Sequence, residues 1–128
     1  DGLLLRFDGA TWTEISLGTA EILYRVWGTG PNDVFIVGAN GTIIHFDGTA
    51  WLPMASGTLD NLKNVHGCAA DDVYAVGDLG TFLHYDGVSW TPVSSGGIID
   101  LTGVMCLDQV VYLSGADGSI HELLMTAP

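Results

Sequence analysis

Apolar and polar positions follow a schedule along this chain. Leu62-Lys63-Asn64-Val65-His66 alternates between the two, the pattern of a short strand with one buried face. Asp72-Val73-Tyr74-Ala75-Val76-Gly77 is a nearly continuous apolar run between turn residues, as in a strand covered on both faces. Gly80-Thr81-Phe82-Leu83-His84-Tyr85 predicts a third strand. Asp86-Gly87 then predicts a hairpin turn into a fourth, Ser89-Trp90-Thr91-Pro92-Val93. Pro92 donates no ladder hydrogen bond, which puts that strand at the outer edge. The unit reads as four antiparallel strands, A to D from the inside outward, with Gly-rich connections and no helix.

The same schedule returns every 39 residues: Phe7-Asp8-Gly9, Phe46-Asp47-Gly48 and Tyr85-Asp86-Gly87 are evenly spaced. Trp12, Trp51 and Trp90 keep that step, as do Leu23, Leu62 and Leu101, and Val26, Val65 and Val104. A fixed period near 40 residues in a Gly-rich, helix-poor chain predicts a radially repeated β-structure. Sheets with two apolar faces cannot be buried alone, so successive units pack face to face around an axis. A β-solenoid is the competing architecture, but its repeats are shorter, roughly 20–30 residues.

The expected fold is therefore all-β: a single β-propeller segment over residues 1–128, with about three four-stranded antiparallel blades. Strands C and D fall in 1–20, complete blades in 21–56 and 60–95, and strands A, B and C in 99–125. The last repeat is one residue shorter, the loss lying in the Cys106-Leu107-Asp108-Gln109 turn. Thirteen predicted strands make about three and a quarter blades, whereas propellers close with roughly four to eight. A three-bladed ring would need too sharp a wedge between sheets that pack about 10 Å apart. The chain is expected to be part of a larger propeller or to form a homo-oligomer. In the oligomer the C–D hairpin of one copy would complete the A–B pair of the next.

The pattern L-x-x-V-[WH]-G, D-V-[FY]-x-V-G, G-T-[IF]-[IL]-H-[FY]-D-G-x-x-W covers essentially the whole chain. It resembles the blade repeat of bacterial, especially myxobacterial-type, secreted β-propellers. It is also similar to the wider Asp-box class, which includes sialidase and photosystem-assembly propellers. The resemblance implies a bacterial protein, secreted or displayed at the cell surface. It implies no single activity, since propellers host enzymes, lectins and scaffolds alike.

Charge narrows the partners. Fifteen Asp and Glu face only Arg6, Arg25 and Lys63, a formal net charge of −12. Nucleic acid and anionic membrane surfaces both require basic residues gathered on one face, so neither is expected. The acidity reads first as solubility and mutual repulsion. No apolar run approaches the roughly 18 residues of a membrane helix, and Asp1-Gly2 opens into a strand-like segment rather than a signal peptide. Cys68 and Cys106 are the only cysteines and are expected in the same loop of successive repeats. They are either a disulfide staple or two buried thiols. Without CxxC or His-x-x-x-His spacing, no metal site is expected, and no motif calls for a cofactor.

The Asp8, Asp47 and Asp86 turns read as structural: each carboxylate accepts backbone N–H groups, the glycine takes positive φ, and Trp12, Trp51 or Trp90 packs over the turn. His45 and His84 stand two residues before an aspartate, with Arg6 at the matching place. A polar contact to the Asp turn or the neighbouring blade is their expected role. Asp33 and Asp72 read as turn residues that start the B strands. His66 occupies the place of Trp27 and reads as core variation, and His121 stands alone. A sialidase would need several arginines to clamp a carboxylate, and only Arg6 and Arg25 exist. The B–C and D–A loops are expected on one face, where Asn40, Asp60, Asn61, Asp78, Asp100 and Asp117 form a candidate ligand-binding set. The leading function is a non-enzymatic interaction or scaffold module with a protein partner. The alternative is a multivalent lectin with one glycan site per blade.

Overall fold

The apolar runs fold as strands in the computed structural model, which describes residues 2–125. A first hairpin pairs β1 (Leu3–Phe7) with β2 (Trp12–Ser16). The second sheet runs β3 (Leu23–Gly30), β4 (Asp33–Gly38), β5 (Ile43–Phe46), β6 (Trp51–Met54). The third runs β7 (Leu62–Ala69), β8 (Asp72–Gly77), β9 (Phe82–Tyr85), β10 (Trp90–Pro92). The fourth has three strands, β11 (Leu101–Leu107), β12 (Val110–Gly115) and β13 (Ile120–Leu124). Every pair is antiparallel, and within each sheet every strand neighbours its successor, as strands joined by short turns must. Among the described residues, no helix is long and apolar enough to cross a membrane.

Two local expectations change. Cys68 and Cys106 lie on β7 and β11 rather than in loops, because these first strands run further than the alternating pattern suggested. Their sulfurs are bonded, with Cα atoms 5.3 Å apart. The β4–β5 and β8–β9 connections are short 3₁₀ turns, Ala39–Gly41 and Asp78–Gly80, where no helical turn was expected. Asn40 (φ 54°) and Leu79 (φ 57°) are left-handed there, followed by Gly41 and Gly80 at φ 70° and 73°. A Cβ on Gly80 would run into the Gly97 carbonyl, so only glycine lets the turn lie against the loop leaving β10.

The continuous apolar runs become the most buried strands: Val73, Tyr74, Ala75 and Val76 are all closed from solvent. Alternate residues of each central strand face opposite neighbours. Phe35, Val37 and Ile43 of the second sheet pack on Leu62, Val65, Tyr85 and Trp90 of the third. Tyr74, Val76 and Phe82 of the third pack on Leu101, Val104, Val111 and Leu113 of the fourth. Ile36 and Ile44 face back onto Leu4 and Ile15 of the hairpin. One interface is thus built three times from matching positions.

The sheets converge on their first strands. Arg25 Nε donates to Asn64 Oδ1 (3.1 Å), and Asn64 Nδ2 donates to the Thr102 carbonyl (3.2 Å). The Trp27 and His66 rings are 5.7 Å apart, and His66 Nδ1 accepts the Cys106 N–H at 3.0 Å. His66 is therefore a junction between sheets as well as a core residue. At the other end, β13 already fills the C position beside β12, paired from Val110↔Leu124 to Ser114↔Ile120. The hairpin of a second copy therefore finds that place taken unless β13 leaves.

Candidate binding surfaces

The three Asp–Gly turns are alike. Asp8 Oδ1 accepts Ala10 and Thr11 N–H at 2.9 and 2.8 Å, and Asp47 Oδ1 accepts Thr49 and Ala50 N–H at 2.8 and 2.9 Å. Asp86 Oδ1 accepts Val88 and Ser89 N–H, both at 2.9 Å. The backbone N–H groups of Thr11, Ala50 and Ser89 lead in holding these carboxyls below the ordinary range, since they bond only the ionised form well. The following glycines take φ of 99°, 95° and 95°. Each tryptophan pairs with the aromatic before the aspartate rather than capping the turn: Phe7–Trp12, Phe46–Trp51 and Tyr85–Trp90 centroids lie 5.0, 4.9 and 5.2 Å apart.

His45 and His84 bond neither the Asp turns nor a neighbouring sheet. His45 Nε2 lies 2.6 Å from Asp33 Oδ1, and His84 Nε2 lies 2.8 Å from Asp72 Oδ1, each within its own sheet. Asp33 Oδ2 also accepts the Thr29 hydroxyl at 2.6 Å. A nucleophile relay would need histidine between hydroxyl and carboxylate, and here the carboxylate stands in the middle. Ser119 is misordered in another way: its hydroxyl donates to Asp117 Oδ1 (2.6 Å) and lies 3.1 Å from His121 Nε2. Asp72 also has a carboxylate oxygen within 4.8 Å of both cysteine sulfurs, which are committed to each other.

The B–C turns and D–A loops do share a face, but the candidate ligand residues there are hydrogen-bonded to protein groups, some within a sheet and some across sheets. Asn61 Oδ1 accepts the Asn40 N–H (3.0 Å), and Asp100 Oδ1 accepts the Leu79 N–H (2.8 Å) at matching places. Asn61 Nδ2 donates to Asp78 Oδ2 (2.9 Å), and Thr81 donates to Asp60 Oδ2 (2.7 Å). Asn40 Nδ2 donates to Glu21 Oε2 at 2.8 Å. Asp117 accepts the Ser119 hydroxyl and N–H, and these hold its carboxyl below the ordinary range. Asn61 and Asp100 thus clamp the left-handed turns of the preceding sheet. A polar residue 21 positions after a strained turn is a signal that only the fold reveals.

Two clefts between the diverging outer strands are related residue for residue by the repeat. One, of about 520 Å³, includes Leu17, Gly18, Thr19, Thr42, Trp51 and Pro53. The other, of about 360 Å³, includes Ser56, Gly57, Thr58, Thr81, Trp90 and Pro92. Neither lining contains a charged residue. Their floors are apolar and their rims carry hydroxyls.

No protein-family model matches the sequence, and no curated protein matches it. Solved structures do match. YCF48 from Cyanidioschyzon merolae superposes with a TM-score of 0.73 at 20% identity, over 88% of this chain and 40% of that one. YCF48 bound to D1 peptide superposes with a TM-score of 0.77 at 19% identity, over 93% and 43%. The chain spans about two fifths of these structures' length. The fold is that of a β-propeller segment.

In propeller terms, the described segment leaves two blade faces open: that of the second sheet, where the first hairpin covers only the outer strands, and that of the fourth sheet. Val65 and Val104 face the preceding blade and are 2% and 8% exposed, whereas Val26 at the matching place is 61% exposed. Leu5, Phe7 and Trp12, on the first hairpin, are exposed as well. At the far end, Ile43 and Phe82 face the following blade and are each 1% exposed, whereas Ile120 is 70% exposed. Met105, Leu107 and Leu124 are exposed with it. Two of the three basic residues, Arg25 and Lys63, lie on the inner strands β3 and β7, where Lys63 Nζ stands 4.5 Å over the Tyr24 ring.

Proposed function

We propose that this chain is a non-enzymatic interaction segment of a β-propeller, completed by further copies or by more blades of a larger protein, with a protein as partner. The observation that carries the reading is the pair of uncovered faces. Positions closed from solvent at every internal blade junction stand open at both ends, which fits a surface made to be joined. YCF48, of the same fold, has been solved bound to a peptide, which makes a peptide the first ligand class to test. The order Thr29–Asp33–His45, with the carboxylate central, supports a holding role over a catalytic one. The Cys68–Cys106 bond suits an oxidising compartment and so supports a secreted or surface-exposed bacterial protein, in keeping with the blade-repeat resemblance.

A second reading, the multivalent lectin, is favoured by the two repeat-related clefts, each with a tryptophan and hydroxyls. A glycan array run beside a peptide array decides between them. The interaction reading expects saturable peptide binding and a blank glycan array. Sugar binding that Thr42→Val and Thr81→Val weaken in steps would overturn it.

A further inference from the structure

Among the described residues the fourth sheet has three strands, and none of them lies on the outer edge of β13. Asp86-Gly87, which turns the third sheet's chain back into β10, is matched by Leu124-Met125. The chain runs straight on instead: the Met125 N–H bonds to the Gln109 carbonyl at 2.7 Å, prolonging the pairing with β12. Backbone parity identifies what is left bare. In the third sheet, the Phe82 carbonyl accepts the Val93 N–H (2.8 Å), and the Asp86 N–H bonds to the Ser89 carbonyl (3.3 Å). The matching backbone groups belong to Ile120, Glu122 and Leu124, which face away from β12.

What covers such an edge elsewhere in this chain is constant. The outer strands read Trp12-Thr13-Glu14-Ile15, Trp51-Leu52-Pro53-Met54 and Trp90-Thr91-Pro92-Val93. In each the tryptophan lies opposite the last residue of the preceding strand: Phe7, Phe46 or Tyr85. Trp90 is seated among Tyr85, Phe35 and Met54. Leu123 of the fourth sheet and Tyr74 and Val93 of the third hold the places matching Tyr85, Phe35 and Met54. Leu123 and Val93 are only partly buried there.

We propose that the free edge of β13 accepts one extended segment in antiparallel β-augmentation, with the chemistry of this chain's own outer strands. That segment carries a tryptophan opposite Leu123, a residue needing no outward N–H opposite His121, and an aliphatic residue opposite Ile120. Main-chain bonds from Ile120, Glu122 and Leu124 give affinity, and the tryptophan sets register. The proposal rests on the fold and not on the scaffold reading, so either can fail without the other.

The test is a titration of the intact chain with a synthetic peptide copying residues 88–95, Val-Ser-Trp-Thr-Pro-Val-Ser-Ser, followed by amide NMR and hydrogen exchange. The expected result is saturable one-to-one binding with slowed exchange at Ile120, Glu122 and Leu124. A peptide carrying Trp90→Ala should bind about tenfold more weakly or worse. Glu122→Pro, which removes an N–H only from the open edge, should abolish binding while strand content is kept. Unshifted amides at those three residues with millimolar peptide would overturn the proposal, as would equal binding of the Trp90→Ala peptide. Should Glu122→Pro fail to fold, the exchange map of the unaltered protein decides alone.

Discussion

Reducing the Cys68–Cys106 bond should weaken the fold strongly without dismantling it. The cross-link spans 38 residues, and in the chain-entropy account closing a loop of that length removes about 4 kcal/mol of conformational freedom from the unfolded chain. Against a total stability on the order of 5–15 kcal/mol, that is a large share. The reduced sulfurs still have a reason to stay close. β7 and β11 are also joined by Asn64 donating to the Thr102 carbonyl and by His66 accepting the Cys106 N–H. Urea unfolding at neutral pH, with and without a phosphine reductant, reads the effect. With a slope of about 2 kcal/mol/M, the midpoint should fall by about 2 M. A midpoint change under about 0.5 M would refute the reasoning, because the chain would then be held together without the staple.

The other consequences are simpler. Val65→Ala should cost about 2 kcal/mol in urea unfolding. Burial holds the His66 imidazole below its ordinary value of 6.5, so the unfolded chain binds more protons between the two values. Melting temperature should therefore drop as pH falls below 6.5, and His66→Gln should flatten that drop. Asp8, Asp47 and Asp86 have folded values below 3.8, so their contribution is full above that pH and lost as acid titrates the lowered groups. Acid unfolding should accordingly be shallower in the triple Asp→Asn variant. Gly80→Ala should be severely destabilising by circular-dichroism melts, since its φ of 73° and the Gly97 carbonyl leave a side chain no place.

Architecture was legible because each blade repeats its reasons. Two-sided apolar runs, Asp–Gly turns and edge prolines recur at one spacing, and the chain is all-β with antiparallel sheets. The chemistry was less legible for the same reason: repetition marks positions without saying which residues meet. Asp33 and His45 are 12 positions apart and touch only because β4 and β5 pair Phe35 with His45, which brings the start of β4 beside that ring. Asn61 and Asp100 read as loop polarity until the strained turns at Asn40 and Leu79 show what they hold. The straight run after β13 was also hidden, since the missing Asp–Gly pair takes its meaning from the Met125–Gln109 bond.

Val26 and Ile120 stand open where the matching positions of the internal blade junctions are closed, and the proposed assembly would cover both. Light scattering of the isolated chain at neutral pH tests it most directly. The account predicts a mass well above the single-chain 13.5 kDa, falling to that value when Val26→Glu or Ile120→Glu puts a charge on an open face. A compact, stable 13.5 kDa species from the unaltered chain, with an unfolding midpoint independent of concentration, would contradict it.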